Sequence, residues 1–86
     1  MSKILIVDDH PLMRKGLALS LNAEPDLTVC GQAANAEEAL SALEELDPDL
    51  AIVDISLPGM GGLELIKHMQ ALRLEMRRRG PLVSYI

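Results

Sequence analysis

Lys3-Ile4-Leu5-Ile6-Val7-Asp8-Asp9-His10-Pro11 decides the fold. Ile4 to Val7 is short, rich in β-branched residues and apolar without alternation. That pattern predicts a strand buried on both faces, as in a parallel sheet. Asp8 and Asp9 end it, and Pro11 suits the first turn of a helix, with Asp9 or His10 at the N-cap. A buried strand that ends in two carboxylates and runs straight into a helix is the start of a βα unit.

The rest of the chain repeats that rhythm. Residues 11–22 read as a helix with Met13, Leu17 and Leu21 on one face. Asn22 to Asp26 is a loop containing Pro25, and Leu27 to Ala33 reads as a second strand. Asn35-Ala36-Glu37-Glu38 fits a capping box with Asn in place of Ser or Thr. It opens a helix whose Ala39, Leu40, Leu43 and Leu46 share a face, and Asp47-Pro48 ends it. Leu50 to Ile55 is the third strand, interrupted only by Asp54. A loop with one Pro and three Gly, Leu57 to Gly62, leads into a third helix over Leu63 to about Leu72. Leu65 or Ile66, Met69, Leu72 and Met76 are its expected inward residues. Gly80-Pro81 stops it, and Leu82 to Ile86 is a candidate for a short fourth strand. The order β-α-β-α-β-α-β predicts an α/β fold with a parallel sheet and right-handed crossovers.

Composition sets the bounds. Eighty-six residues allow one domain, and 49% apolar residues are too many for a disordered chain. With no Phe or Trp and one Tyr, the core must come from Leu, Ile, Val, Ala and Met, and sixteen leucines do most of the filling. No apolar run approaches the roughly 18 residues of a membrane span. The N-terminus is too short and too acidic for a signal peptide, so a cytoplasmic domain is the expectation. Cys30, the one cysteine, excludes an internal disulfide and argues against a zinc cluster. Net charge is −5, but residues 1–72 carry −8 and residues 73–86 carry +3. The overall acidity argues against nucleic acid as a direct partner. The shift divides a core, residues 1–73, from a basic tail, residues 74–86.

In open parallel sheets, ligands bind beyond the carboxyl ends of the strands. Asp8 and Asp9 close strand one, and Asp54 falls at the end of strand three. If those strands are neighbours, three carboxylates converge. Taken alone, Asp8 and Asp9 also suit helix capping and dipole compensation. Asp54 tips the reading, because a carboxylate in a fully apolar strand has little structural reason to be there. Three crowded anions demand a cation or a raised pKa. Oxygen donors suit Mg²⁺, which keeps several waters and bridges to phosphate oxygens. The loop after Asp54 offers a carbonyl for the metal and N–H groups for phosphate oxygens, though it also reads as an ordinary connection.

These residues resemble the receiver domain of two-component response regulators. The resemblance rests on Ile4-Leu-Ile-Val-Asp-Asp-His-Pro-Leu-Met-Arg-Lys-Gly-Leu17 and on Pro48-Asp-Leu-Ala-Ile-Val-Asp-Ile-Ser-Leu-Pro-Gly-Met-Gly-Gly-Leu-Glu-Leu65. It covers residue 3 to about 73. The Asp-Asp-His-Pro start is similar to regulators that carry a LuxR-type DNA-binding domain after the receiver. The resemblance implies a flavodoxin-like sheet and places the phosphoacceptor at Asp54, which would take a phosphoryl group from a sensor histidine kinase. It implies Mg²⁺ ligands at Asp8, Asp9 and Asp54 and at the backbone carbonyl of Ser56. It also puts Ser84, thirty residues after Asp54, near the family's phosphoryl-bonding hydroxyl.

A whole receiver has five βα units in the sheet order 2-1-3-4-5. These 86 residues hold three and stop in or before strand four. The family's fifth-strand Lys, its aromatic switch residue, helices four and five and an output domain have no counterpart here, so the expectation is a receiver truncated after about strand four. Without strands four and five, Leu50 to Val53 would form an exposed edge, which predicts homo-oligomers through strand pairing.

A non-phosphorylated pairing module is the alternative function. An Asp-nucleophile phosphatase would carry a second Asp where Ser56 stands, and a dinucleotide enzyme would need a G-x-G-x-x-G after strand one. No helix-turn-helix supports DNA binding. His10 is read as a loop residue able to tune the site, and His68 as an exposed helix residue. Cys30 is read as a buried small hydrophobe, Met60 as a loop contact, and Arg77-Arg78-Arg79 as a solvated helix end.

Overall fold

The computed structural model describes residues 2–54, 57, 61–75 and 82–85. Its elements run β1 (Ser2–Val7), α1 (Pro11–Asn22), β2 (Leu27–Ala33), α2 (Ala36–Leu46), β3 (Leu50–Val53), α3 (Gly62–Glu75) and β4 (Leu82–Tyr85). The strands form one parallel sheet in the order β2-β1-β3-β4. β1 is therefore central, which explains its unbroken apolar run: Ile4 through Val7 are all buried.

One face of the sheet carries the main core. Leu5, Val7, Ala51 and Val53 pack there with Ala39 and Leu43 of α2 and Leu65, Ile66 and Met69 of α3. Leu65, Ile66 and Met69 are thus buried as expected for α3; the Leu72 side chain and Met76 lie outside what the structure describes. Alternation turns Ile4 and Ile6 to the opposite face, where α1 packs against β1 and β2.

α1 departs from expectation. None of its residues is buried, and Met13, assigned to its inward face with Leu17 and Leu21, is 52% exposed. Among the described residues no second helix packs beside α1, so its flank stays open to water. A second correction concerns β3. It pairs with β4 along its whole length, from Leu50↔Leu82 to Val53↔Tyr85. Leu50–Val53 is not an edge, and the argument for self-association through that strand falls.

Local chemistry fixes the connections. The capping pair at α2 forms with its return bond displaced by one residue: the Glu38 N–H donates to Asn35 Oδ1 at 2.9 Å, and Glu38 Oε1 accepts from the N–H of Ala34, just before the cap, at 2.9 Å. Asp47 closes α2 in the left-handed conformation at φ 47°, and its N–H donates to the Leu43 carbonyl. Lys3 binds this corner to β1, because its Nζ donates to the Leu46 carbonyl at 2.6 Å, where the helix dipole favours a cation. Its N–H donates to Asp49 Oδ2 at 2.7 Å. The β1–β2 register slips between Ile4 and Leu5, making Cys30 the extra residue of a bulge. Gly31 follows at a close approach, where an added Cβ would lie 2.6 Å from Leu46 Cδ1.

Candidate functional site

The strand pairing of β1 with β3 brings the three carboxylates together. The ladder continues past the strand ends: the Asp8 N–H donates to the Ala33 carbonyl at 3.0 Å, and the Asp54 N–H donates to the Val7 carbonyl at 2.9 Å. Asp8 and Asp54 are thereby seated on the rim of a sheet whose interior is apolar. Asp8 is buried, with a side chain 4% exposed, while those of Asp54 and Asp9 are 14% and 34% exposed. The cluster is a recessed crevice open on one side.

His10 completes it. The residue is the N-cap of α1, but its side chain makes no capping bond. Its N–H donates instead to Asp8 Oδ1 at 2.9 Å, so the chain folds back at Asp8 in a turn held by that carboxylate. The turn aims the imidazole into the crevice. Nδ1 lies 2.8 Å from Asp8 Oδ1, 3.1 Å from Asp9 Oδ1 and 3.7 Å from Asp54 Oδ2. The hydrogen bond to Asp8, together with the negative charge of the neighbouring Asp9, raises the His10 pKa above its ordinary 6.5.

Arg14 lies one helical turn further on, and its Nη1 donates to the Asp8 backbone carbonyl at 2.5 Å. Sequence reasoning passed over it, because a backbone carbonyl as partner leaves no signal in the residue order.

The donor set fits a cation. Single ligand atoms of Asp8, Asp9, His10 and Asp54 all lie within 4.8 Å of one another. Asp9 Oδ1 is buried and, among the described residues, makes no hydrogen bond; it faces the His10 ring nitrogen at 3.1 Å. Hard carboxylate oxygens in a half-open crevice suit Mg²⁺ with part of its water shell.

The other expected residues stand apart. Ser56, Met60 and Arg77–Arg79 lie outside the described residues. Ser84 is on β4, level with Ile52 and two positions before Asp54, about 6.6 Å along a strand. His68 is exposed on α3, as expected. Cys30 is half-buried rather than buried; its Sγ donates to the Ile4 carbonyl at 3.4 Å, and burial pushes its thiol pKa up, away from reactivity. No helix among the described residues is long and apolar enough to cross a membrane.

Comparison with known proteins agrees with this geometry. The family model of the response regulator receiver domain matches residues 4–78, and the chain belongs to that family. It is 42% identical over 74 residues to the nitrate/nitrite response regulator protein NarL of Escherichia coli K12, covering 86% of this chain and 34% of NarL. It is 45% identical over 69 residues to the response regulator GacA of Pseudomonas syringae, covering 80% of this chain and 32% of GacA. Among solved structures, a LuxR-family two-component response regulator from Aurantimonas superposes with a TM-score of 0.81 at 33% identity, covering 99% of this chain and 59% of that one. The response regulator domain of Thermotoga maritima CheB gives 0.79 at 28% identity, with coverage of 100% and 77%. The chain spans about a third of the length of the curated relatives it matches. The flavodoxin-like receiver fold is thus established, and receiver domains take phosphoryl groups from sensor histidine kinases.

Proposed function

We propose that this chain is a phosphoacceptor module in which Asp54 accepts a phosphoryl group in a Mg²⁺-dependent reaction. The observation that carries the reading is the convergence of Asp8, Asp9 and Asp54 at the carboxyl ends of two paired strands. Asp54 is the natural nucleophile because it lies on the central sheet rim with its side chain 14% exposed, reachable yet held by the ladder bond of its own N–H. A carboxylate oxygen of Asp54 attacks the phosphorus of a phosphohistidine. The N–P bond breaks, the imidazole leaves with the electron pair, and an acyl phosphate forms. Asp8, Asp9 and Asp54, with the Ser56 carbonyl as a further ligand, would hold Mg²⁺. When bound, the ion offsets the charge gathered between nucleophile and phosphoryl oxygens. The hydrogen bonds from the His10 N–H to Asp8 and from Arg14 to the Asp8 carbonyl keep the acidic turn in place beforehand, so little reorganisation is needed.

The donor in this reading is a sensor histidine kinase and the setting is the cytoplasm. Ser84 would contact the phosphoryl group only across the gap that its register leaves. Intact mass after incubation with acetyl phosphate tests the proposal. A single phosphoryl adduct that needs both Mg²⁺ and Asp54, and is absent from Asp54→Asn, is expected. An adduct that survives in Asp54→Asn overturns it.

A second reading, self-pairing, moves from β3 to β4. No strand among the described residues pairs with the outer edge of β4, and Leu12 and Leu19 of α1 are 85% and 67% exposed. Sedimentation from 1 to about 100 times a micromolar concentration is the check. A constant monomer mass removes this reading.

A further inference from the structure

We propose that His10 makes the crevice a mixed nitrogen–oxygen site, in which imidazole Nδ1 joins the carboxylates as a ligand for octahedral transition ions such as Co²⁺ and Ni²⁺. This rests on reading the crevice as a cation site and goes beyond it in the ligand and in the ions selected.

The geometry is that of ligands round one ion. Around an octahedral ion with bonds of about 2.1 Å, neighbouring donors lie about 3.0 Å apart and opposite donors about 4.2 Å apart. Nδ1 lies 2.8, 3.1 and 3.7 Å from oxygens of Asp8, Asp9 and Asp54. The imidazole is aimed by backbone, because the bond from the His10 N–H to Asp8 Oδ1 sets the turn that points it inward. Asp9 Oδ1, buried and without a hydrogen bond, is one of the atoms Nδ1 faces. The His10 side chain is 63% exposed and caps nothing, so coordination asks it to give up only the Nδ1 contact to Asp8 Oδ1, and any proton that Nδ1 holds leaves to solvent as the ion binds.

The chemistry then selects the ion. Mg²⁺ is bound through oxygen and gains little from imidazole. Late first-row ions bind imidazole well, with affinity rising from Mn²⁺ through Co²⁺ to Ni²⁺. A fourth ligand that is nitrogen therefore raises affinity for Ni²⁺ and Co²⁺ and leaves Mg²⁺ affinity nearly unchanged.

The experiment is calorimetric titration of the full chain with Mg²⁺ and with Ni²⁺, for wild type, His10→Ala, His10→Gln, His68→Ala and Asp9→Asn. A parallel nuclear magnetic resonance titration with Co²⁺ reports which imidazole lies beside the ion. The expected result is Ni²⁺ binding weakened about tenfold or more in both His10 variants, with Mg²⁺ binding within about twofold of wild type. Asp9→Asn weakens both ions, His68→Ala neither, and Co²⁺ shifts the His10 ring. Ni²⁺ affinity unaltered in both His10 variants, or lost on His68→Ala, overturns the proposal whatever Mg²⁺ does. If Mg²⁺ fails to bind while Ni²⁺ binding needs His10, the Mg²⁺-dependent phosphoacceptor reading fails and the ligation by His10 stands.

Discussion

Asp8 holds His10 twice through one oxygen: Oδ1 accepts the His10 backbone N–H at 2.9 Å and faces the ring Nδ1 at 2.8 Å. The acidic turn thus carries its own counter-ion. In a crevice of three carboxylates, a ring nitrogen able to bear a proton stands near the place where a metal cation would stand.

In the metal-free protein His10 should titrate above the ordinary histidine value of 6.5. A raised folded-state pKa means that the protonated ring stabilises the fold. That contribution is complete below about 6.5, the unfolded value, and is lost as pH rises through the folded one. Asp8→Asn removes the largest cause, so it should move the titration downward. Following the ring proton resonances against pH is the check, and an unshifted midpoint in the variant would refute the assignment.

Mg²⁺ should stabilise the wild-type protein by about 2.7 kcal/mol at a hundredfold excess over its Kd. For a domain of this size that is a rise of the order of 10 °C or more in Tm. Asp9→Asn and Asp54→Asn should lose most of that rise. At a pH above the His10 titration, where the ring is neutral, each should also raise the Tm of the metal-free protein, because one of three mutually repelling charges is gone. Thermal melts with Mg²⁺ and with a chelator separate the two effects.

Gly31 and Leu46 should be energetically coupled. A side chain at Gly31 meets Leu46 Cδ1, the mobile end of a leucine, so Gly31→Val should cost about 1–3 kcal/mol through overpacking. Combined with Leu46→Ala, it should cost clearly less than the two single losses together. Urea unfolding of the four proteins of the cycle decides this. Simple additivity would mean that the contact does not govern the α2–β2 approach.

Asn35→Ala removes the acceptor of the Glu38 N–H and the core of the capping box. A loss of about 1 kcal/mol is expected. Asn35→Asp should retain most of the stability, since a carboxylate accepts the same bond. Equal losses in the two variants, again from urea unfolding, would show that the bond itself contributes little.

How much of this was legible in the sequence follows from what each signal needs. The strands and helices needed only local patterns. Ile4–Val7 reads as a doubly buried strand because four consecutive apolar residues leave no face for water, and Asn35 with Glu38 reads as a helix start because the bond between them spans three residues. The exposure of Met13 was not legible, because burial on α1 depends on which elements pack beside it and not on its own period. Arg14 was missed for a related reason: its partner is a backbone carbonyl, which leaves no mark in a sequence.

By itself, then, the amino-acid sequence determined the βα order, the Asn35 cap of α2 and the three carboxylates at strand ends, since all of these follow from spacing along one chain. Only the tertiary structure decided that β1 pairs with β3, that β4 covers β3, and that the His10 ring turns in among Asp8, Asp9 and Asp54. Those are contacts across dozens of residues or settled by one turn's geometry. Their free energy comes from packing and charge in three dimensions, which residue order does not display.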